Sequence, residues 1–362
     1  MSDLDKYLEG KPYTLTDEQY NYCHDVIYGD NHVSNWSVAG SGKSLCVEII
    51  RDVLKDRCII CATTGISNSI LFNNTGGHGT MHSVLSLPTS LYNNYHEKKV
   101  SSTTSKLLGS SDLVTTIVIE EAGMVTPDQL SLILKRIERY NRPYGKKRSR
   151  RNIKLVLQGD ILQLGSVITD DKEVEYMREN YGSEYLFESD VFKNMKFNVH
   201  IFNKVLRTNN KTFKEALEVV RYGQEHRYPK LLQWLNKRYL PAPKDALMVT
   251  TTNKQVDLLN KKALAENPNK EIKLRAIIKG GYNIKNCPAE EVITLKVGIP
   301  VITLTNCQEG NYFNGSYGHV TSIIVGEGVF VHFKVSDQEH FVPYFEYEEK
   351  EYFTDTDELG NS

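Results

Sequence analysis

Residues Ser37–Ser44 read SVAGSGKS and lack only an initial glycine to form a phosphate-binding P-loop. Such a loop works where it turns a strand into a helix, because the first helical amides and the positive end of the helix dipole must face the phosphates. The helix is written downstream. Leu45, Ile49 and Val53 recur at four-residue spacing, with Ile50 and Leu54 beside them, so one face is apolar. In that setting Ala39, Gly40, Ser41 and Gly42 line the cradle, Lys43 reaches the β and γ phosphates, and Ser44 ligates magnesium. Gly40 and Gly42 let the backbone approach closely. Upstream, Val33–Val38 (VSNWSV) is polar for a strand, and Ser37 stands where a glycine would tolerate strained backbone angles.

Nucleotide hydrolysis also needs carboxylates at the end of a second strand. Leu113–Ile119 (LVTTIVI) is a β-branched apolar run of the kind buried in parallel sheets, and it ends in Glu120 and Glu121. There Glu120 would hold the magnesium and Glu121 would orient the attacking water; exposed charges opening a helix are the plainer reading. A third run, Ile153–Leu157 (IKLVL), leads into Gln158–Gly159–Asp160 and Gln163. Three strands ending in a P-loop, a carboxylate pair and a polar turn predict an α/β fold, a doubly wound sheet with its ligand crevice at the carboxyl ends.

Composition bounds the rest. A chain of 362 residues suggests two or three domains at roughly 150 residues each. Hydrophobic residues at 40% and charged residues at 25% fit a soluble globular protein. There is no long apolar run and no basic-then-apolar leader, so an intracellular, soluble protein of cytoplasm or nucleoid, with no membrane partner, is expected. The formal net charge of −1 argues against a surface coated with nucleic acid, though not against a local groove. The densest basic run, Lys146–Arg151, sits in a loop, where it is either solvated or in contact with phosphate. The single CxxC, Cys58 to Cys61, lies in an apolar run and reads as buried strand cysteines.

In order along the chain, these and further stretches resemble the superfamily 1B DNA helicases, the group of RecD, Dda and the PIF-type enzymes, from about residue 13 to about residue 325. Thr16–Gln19 (TDEQ) is similar to the family's glutamine motif and implies that Gln19 recognises adenine, with a surface helix residue as the competing reading. Cys61–Ser67 (CATTGIS) and Gly79–Ser83 (GTMHS) resemble two early DNA motifs and imply strand contacts from Thr63, Thr64, Thr80 and His82. Capping and turn roles explain the threonines nearly as well. Ile119–Val125 (IEEAGMV) departs from the family pattern in carrying Glu120 where aspartate is usual. Gly159–Leu164 (GDILQL) implies Gln163 near the γ-phosphate, and Val205–Thr208 (VLRT) implies that Arg207 stabilises charge there. Leu247–Asn253 (LMVTTTN) reads as a strand entering a helix and implies DNA contacts from Thr251 and Asn253, with N-capping as the other reading. Leu295–Asn306 and Phe313–Val320 read as a β-hairpin around Asn-Gly turn chemistry.

The resemblance implies a RecA-like motor domain over residues 1–206, with a small wedge insertion near 86–106 in which Tyr92, Tyr95 and His96 stack on an unpaired base. An ordinary surface excursion is the competing reading of that insertion. Residues 207–325 would be a partial second RecA-like domain, and 326–362 the start of a barrel-like insertion. The family's later motifs are absent, so either the sequence is truncated or a second chain supplies them. The implied function is an ATP-dependent DNA helicase or translocase moving 5′ to 3′ on single-stranded DNA at a duplex fork, with ATP and Mg²⁺. The other class is a nucleotide-responsive DNA-binding module that hydrolyses poorly alone. A small-molecule P-loop kinase would share SVAGSGKS but not Gln163, Arg207 or the run from Lys296 to Asn306.

Overall fold

A computed structural model describes residues 1–64, 78–88, 99–109, 113–143, 151–166, 168, 171–241, 243, 246–280, 282, 284, 287–307 and 309–347. The chain divides into two compact units, Met1–Pro241 and Ala242–Ser362. In the first, strands β1 (His32–Trp36), β2 (Cys58–Ala62), β3 (Thr116–Glu120), β4 (Lys154–Gly159) and β5 (Phe197–His200) form one sheet in the order β2-β3-β4-β1-β5. Every pairing in it is parallel. Crossovers leave β1 and its neighbour β4 in opposite directions, which opens a crevice at their carboxyl ends. The helices of this unit are α1 (Asp3–Leu8), α2 (Asp17–Tyr28), α3 (Lys43–Leu54), α4 (Met81–Leu85), α5 (Ser102–Gly109), α6 (Pro127–Asn141), α7 (Asp171–Tyr181), α8 (Asp190–Lys193), α9 (Lys211–Arg221) and α10 (Tyr228–Asn236).

Alternation along the strands builds a core on each face of the sheet. Cys58, Ile60, Ala62, Val118 and Val156 pack with Val47, Ile49 and Ile50 of α3 and Tyr22 and Val26 of α2. Ile59, Cys61, Ile117, Ile119, Leu155 and Leu157 pack with Leu130, Ile133 and Ile137 of α6. A sheet covered on both faces explains why β2, β3 and β4 are continuous apolar runs. It also settles the CxxC: Cys58 and Cys61 are buried on opposite faces, and burial pushes the Cys58 thiol up to about 12. Strand β1 forms despite its polarity, with Ser34 and Asn35 fully buried. Sheet pairing on both sides satisfies its backbone, which side-chain hydropathy does not reveal. Among the described residues no helix is long and apolar enough to cross a membrane.

In the second unit, α11 (Asn253–Glu266) precedes an antiparallel pair, β6 (Ile272–Arg275) with β7 (Val292–Leu295). Strands β8 (Pro300–Ile302), β9 (Tyr317–Ile324), β10 (Gly328–Phe333) and β11 (Gln338–Pro343) form an antiparallel sheet in chain order, around Tyr312, Val331 and Phe333. The expected hairpin is present as the β8–β9 pairing. Its connection is longer than a tight turn and is tied by Thr303 Oγ1 donating to the Phe313 carbonyl at 2.6 Å and the Gly315 N–H donating to the Thr303 carbonyl at 2.7 Å. The strand expected at the start of Leu247–Asn253 is not formed: Leu247, Met248 and Val249 are exposed and have no ladder partner among the described residues, without which an apolar run stays irregular. Tyr92, Tyr95, His96, residues 65–67, the basic run from 146 to 150 and the chain from 348 onward lie outside the described residues.

Ile60 of β2 is fully buried under α2 and α3. Ile60→Ala is expected to destabilise the chain by about 3 kcal/mol, read as a lower denaturant midpoint in urea unfolding.

Candidate nucleotide-binding site

The P-loop leaves β1 at its carboxyl end and enters α3 through two residues in the left-handed region, Gly40 at φ +74° and Gly42 at φ +88°. Glycine is needed for the space as well as the angle. A Cβ on Gly42 would stand 2.4 Å from Gln19 Nε2, and one on Gly40 would stand 2.8 Å from Arg207 Cβ. Gln19 is buried: its Nε2 donates to the Ser41 carbonyl at 2.8 Å, and its Oε1 accepts from the Thr16 N–H at 2.9 Å. The Thr16 hydroxyl caps α2 in return, so the amide is fixed against the loop. Gln19 is therefore no surface helix residue. Ser41 Oγ donates to the Val38 carbonyl at 2.7 Å, while Ala39 and Ser44 are exposed.

Lys43 lies within the loop, its ammonium donating to the carbonyls of Ser37 at 2.8 Å and Val38 at 3.2 Å. Burial pulls its pKa below the ordinary lysine value, opposed by the charges of Asp160, Glu121 and Glu120. On the far side of the loop runs the continuation of β5. The Leu206 and Arg207 N–H groups both donate to the Gly40 carbonyl, at 2.8 and 3.1 Å, so Arg207 is held against the P-loop with its side chain exposed.

Strand β3 delivers the carboxylates. Glu120 is 5% exposed and accepts from Gln158 Nε2 at 2.8 Å. Burial raises its pKa to about 7, with the neighbouring Glu121 adding to the rise and Gln158 and Lys43 opposing it. Glu121 takes a left-handed backbone, φ +55°, rare for a residue with a side chain. Thr63 braces that turn: its N–H donates to the Glu120 carbonyl at 3.3 Å and its Oγ1 to the Glu121 carbonyl at 3.2 Å.

The turn after β4 holds a charge pair that the sequence did not announce. Asp160 and Arg221 of α9 meet through Nη1, 2.8 Å from each carboxylate oxygen, with side chains only 1% and 18% exposed. Asp160 also accepts from the Leu162 N–H at 3.1 Å and from Gln163 Nε2 at 3.4 Å, which places the exposed Gln163 beside it. In sequence Asp160 belongs to a polar turn, and nothing marks Arg221. Their separation of 61 residues hid the pairing.

The remaining candidate contacts are dispersed. Thr80 caps α4, accepting from the Ser83 N–H, and forms a bridge with Ala62 at the edge of β2. Thr64 follows Thr63 and is half-buried. His82 is half-buried, its Nε2 at 3.4 Å from Gln129 Nε2, with its pKa lowered by burial against the opposing charge of Asp128. Thr251 and Asn253 belong to the second unit, both exposed at the start of α11, where Thr252 supplies the cap.

A model of the PIF1-like helicase family matches residues 15–229. The chain is 25% identical over 343 residues to the ATP-dependent DNA helicase RRM3 of Saccharomyces cerevisiae, covering 88% of this chain and 44% of that protein. It is 26% identical over 313 residues to the ATP-dependent DNA helicase Pif1 of Campylobacter jejuni, covering 80% of this chain and 66% of that one. The chain thus spans between about half and two thirds of the curated relatives it matches. Among solved structures, Pif1 helicase from Bacteroides in complex with ADP-AlF3 and ssDNA superposes with a TM-score of 0.75 at 24% identity, covering 91% of this chain and 75% of that one. A structure of two coordinating Pif1 helicases at forked dsDNA gives 0.76 at 23% identity, covering 92% and 77%. At these identities the likeness is one of fold, a RecA-like P-loop α/β domain.

Removing Arg221 takes away the guanidinium that compensates the buried Asp160 carboxylate. Arg221→Ala is expected to cost about 3 kcal/mol in urea unfolding, whereas Asp160→Asn combined with Arg221→Met recovers much of that loss because both charges are gone.

Proposed function

Because the chain belongs to the PIF1-like helicase family, we propose that it binds and hydrolyses ATP to move along single-stranded DNA, in the 5′ to 3′ direction, and to open a duplex fork. One observation carries the reading. The carboxyl ends of β1, β3 and β4 bring Lys43, Glu121 and Glu120 into mutual electrostatic reach, while the backbone of Arg207 is hydrogen-bonded to the P-loop itself.

The amides from Gly40 to Ser44 cradle the phosphates, and Gln19, fixed behind Ser41, is the proposed adenine contact. Lys43 leaves the loop carbonyls to meet the β and γ phosphates. Glu121, held by its strained backbone and by Thr63, orients the attacking water and takes its proton. Gln163 positions that water from the other side, and Arg207 stabilises charge developing on the γ-phosphate. For magnesium the donor set fits: the Ser44 hydroxyl and the Glu120 carboxylate are hard oxygen ligands, and the buried Glu120 accepts from a neutral amide, Gln158 Nε2. Among the described residues no cluster of three or more His, Cys, Asp or Glu could hold a metal without the nucleotide. When bound, the ion would neutralise phosphate charge.

On the DNA side, Thr63, Thr64, Thr80, His82, Thr251 and Asn253 are the proposed strand contacts, chiefly to phosphates and through stacking. Thr63 contacts the carbonyls of both glutamates, so a strand held there would bear on the hydrolytic turn. The assignment of 1–206 to the first motor domain, 207–325 to part of a second and 326–362 to the start of a barrel-like insertion belongs to this reading, as does a second chain completing the motor. The extra methylene of Glu120 supports one competing reading, a nucleotide-responsive DNA-binding module with slow hydrolysis.

Steady-state ATP hydrolysis with and without single-stranded DNA distinguishes the two. A working motor gives DNA-stimulated turnover that Glu121→Gln lowers by about a thousandfold with little change in KM. Retained ATP and DNA binding without turnover supports the binding module instead, and absence of nucleotide binding removes both.

A further inference from the structure

Ser37 occupies the position where a P-loop ordinarily begins with glycine. The usual reason for that glycine does not apply here. Among the described residues, the non-glycine residues with positive φ are Lys55, Ser86, Glu121 and Asp337, so Ser37 keeps an ordinary backbone. Its side chain is fully buried, and both hydrogen-bonding capacities of the hydroxyl are used. Ser37 Oγ accepts from the Phe202 N–H at 2.6 Å and donates to Asn35 Oδ1. Its carbonyl accepts from Lys43 Nζ at 2.8 Å.

Phe202 is anchored in turn. It is 1% exposed, meets Tyr22 of α2 edge-on at 5.6 Å, and accepts the Val38 N–H at 3.4 Å. Five residues later the same segment reaches the P-loop again, where Leu206 and Arg207 donate to Gly40. The segment from Phe202 to Arg207 is thus laced to the loop at two places, and the shorter of the two hydrogen bonds at the first is made by a side chain that glycine lacks.

We propose that Ser37 is a positioning residue: its hydroxyl ties the base of the P-loop to the Phe202–Arg207 segment and so sets where the Arg207 guanidinium stands relative to the γ-phosphate. This rests on the reading of Arg207 as the charge-stabilising group. Replacing Ser37 by alanine or glycine leaves the Phe202 N–H and Asn35 Oδ1 short of a partner inside the core, which loosens the segment at its root. The nucleotide cradle from Gly40 to Ser44 keeps its own contacts. The defect therefore falls on the transition state rather than on bound ADP.

The test is binding of ADP alone, and of ADP with magnesium and aluminium fluoride, to the full chain carrying Ser37→Ala, Ser37→Gly, Arg207→Ala or the Ser37→Ala/Arg207→Ala pair, at a temperature where circular dichroism shows each folded. Ser37→Ala and Ser37→Gly are each expected to weaken the fluoride complex by about tenfold, with ADP affinity unchanged, and Ser37→Ala to add no further loss once Arg207 is alanine. Restoring the hydroxyl with Ser37→Thr recovers part of the loss. Equal losses in both Arg207 backgrounds, tighter binding by Ser37→Gly, or a loss confined to ADP overturns the proposal. An Arg207→Ala variant that binds the fluoride complex as the parent does removes the role of Arg207, and the proposal with it.

Discussion

The organisation of the first unit depends on one short backbone turn, Gly40 to Gly42, at the end of a buried parallel strand. Three elements converge on it: α2 through Gln19, the continuation of β5 through Arg207, and α3, which starts from Gly42. The approaches of Gln19 and Arg207 use space that a side chain on the glycines would fill. The sheet order serves this turn, because oppositely directed crossovers from β1 and β4 leave a crevice where charged residues can stand without breaking the core.

Around that crevice the fold accepts costs which packing elsewhere offsets. Glu120 is a carboxylate in a nearly dry site, Glu121 sits in an unfavourable backbone region, and Asp160 is buried against Arg221. The two apolar cores on either face of the sheet hold these groups in place. Strained backbone and buried charge gathered at the ends of adjacent strands are features that cluster at functional sites.

Much of this was legible in the sequence, and for identifiable reasons. The P-loop helix, β3 and β4 follow from apolar spacing that only one arrangement buries, and Gln19, Lys43, Glu120, Glu121 and Arg207 follow from motif order. The polar strand β1 is faint in the sequence, because its stability comes from neighbours on both sides. The start of Leu247–Asn253 failed in the opposite sense: it has the composition of a strand, but a strand exists only with a partner. Arg221 and the hydroxyl of Ser37 were beyond reach, since each acts through a contact with a residue far along the chain. Ser37, read by motif alone, looked like a defect. In the fold it is a fastening.

The central claim is that nucleotide binds on the Gly40–Ser44 turn. Calorimetric titration of the chain and of Gly42→Ala with ADP and magnesium tests it most directly, because a methyl group there would meet Gln19 Nε2 at 2.4 Å and strain a backbone at φ +88°. One site on the parent chain is expected, with loss of binding in the variant while the circular dichroism spectrum is retained. Equal affinity in both proteins would place the nucleotide elsewhere and contradict the claim.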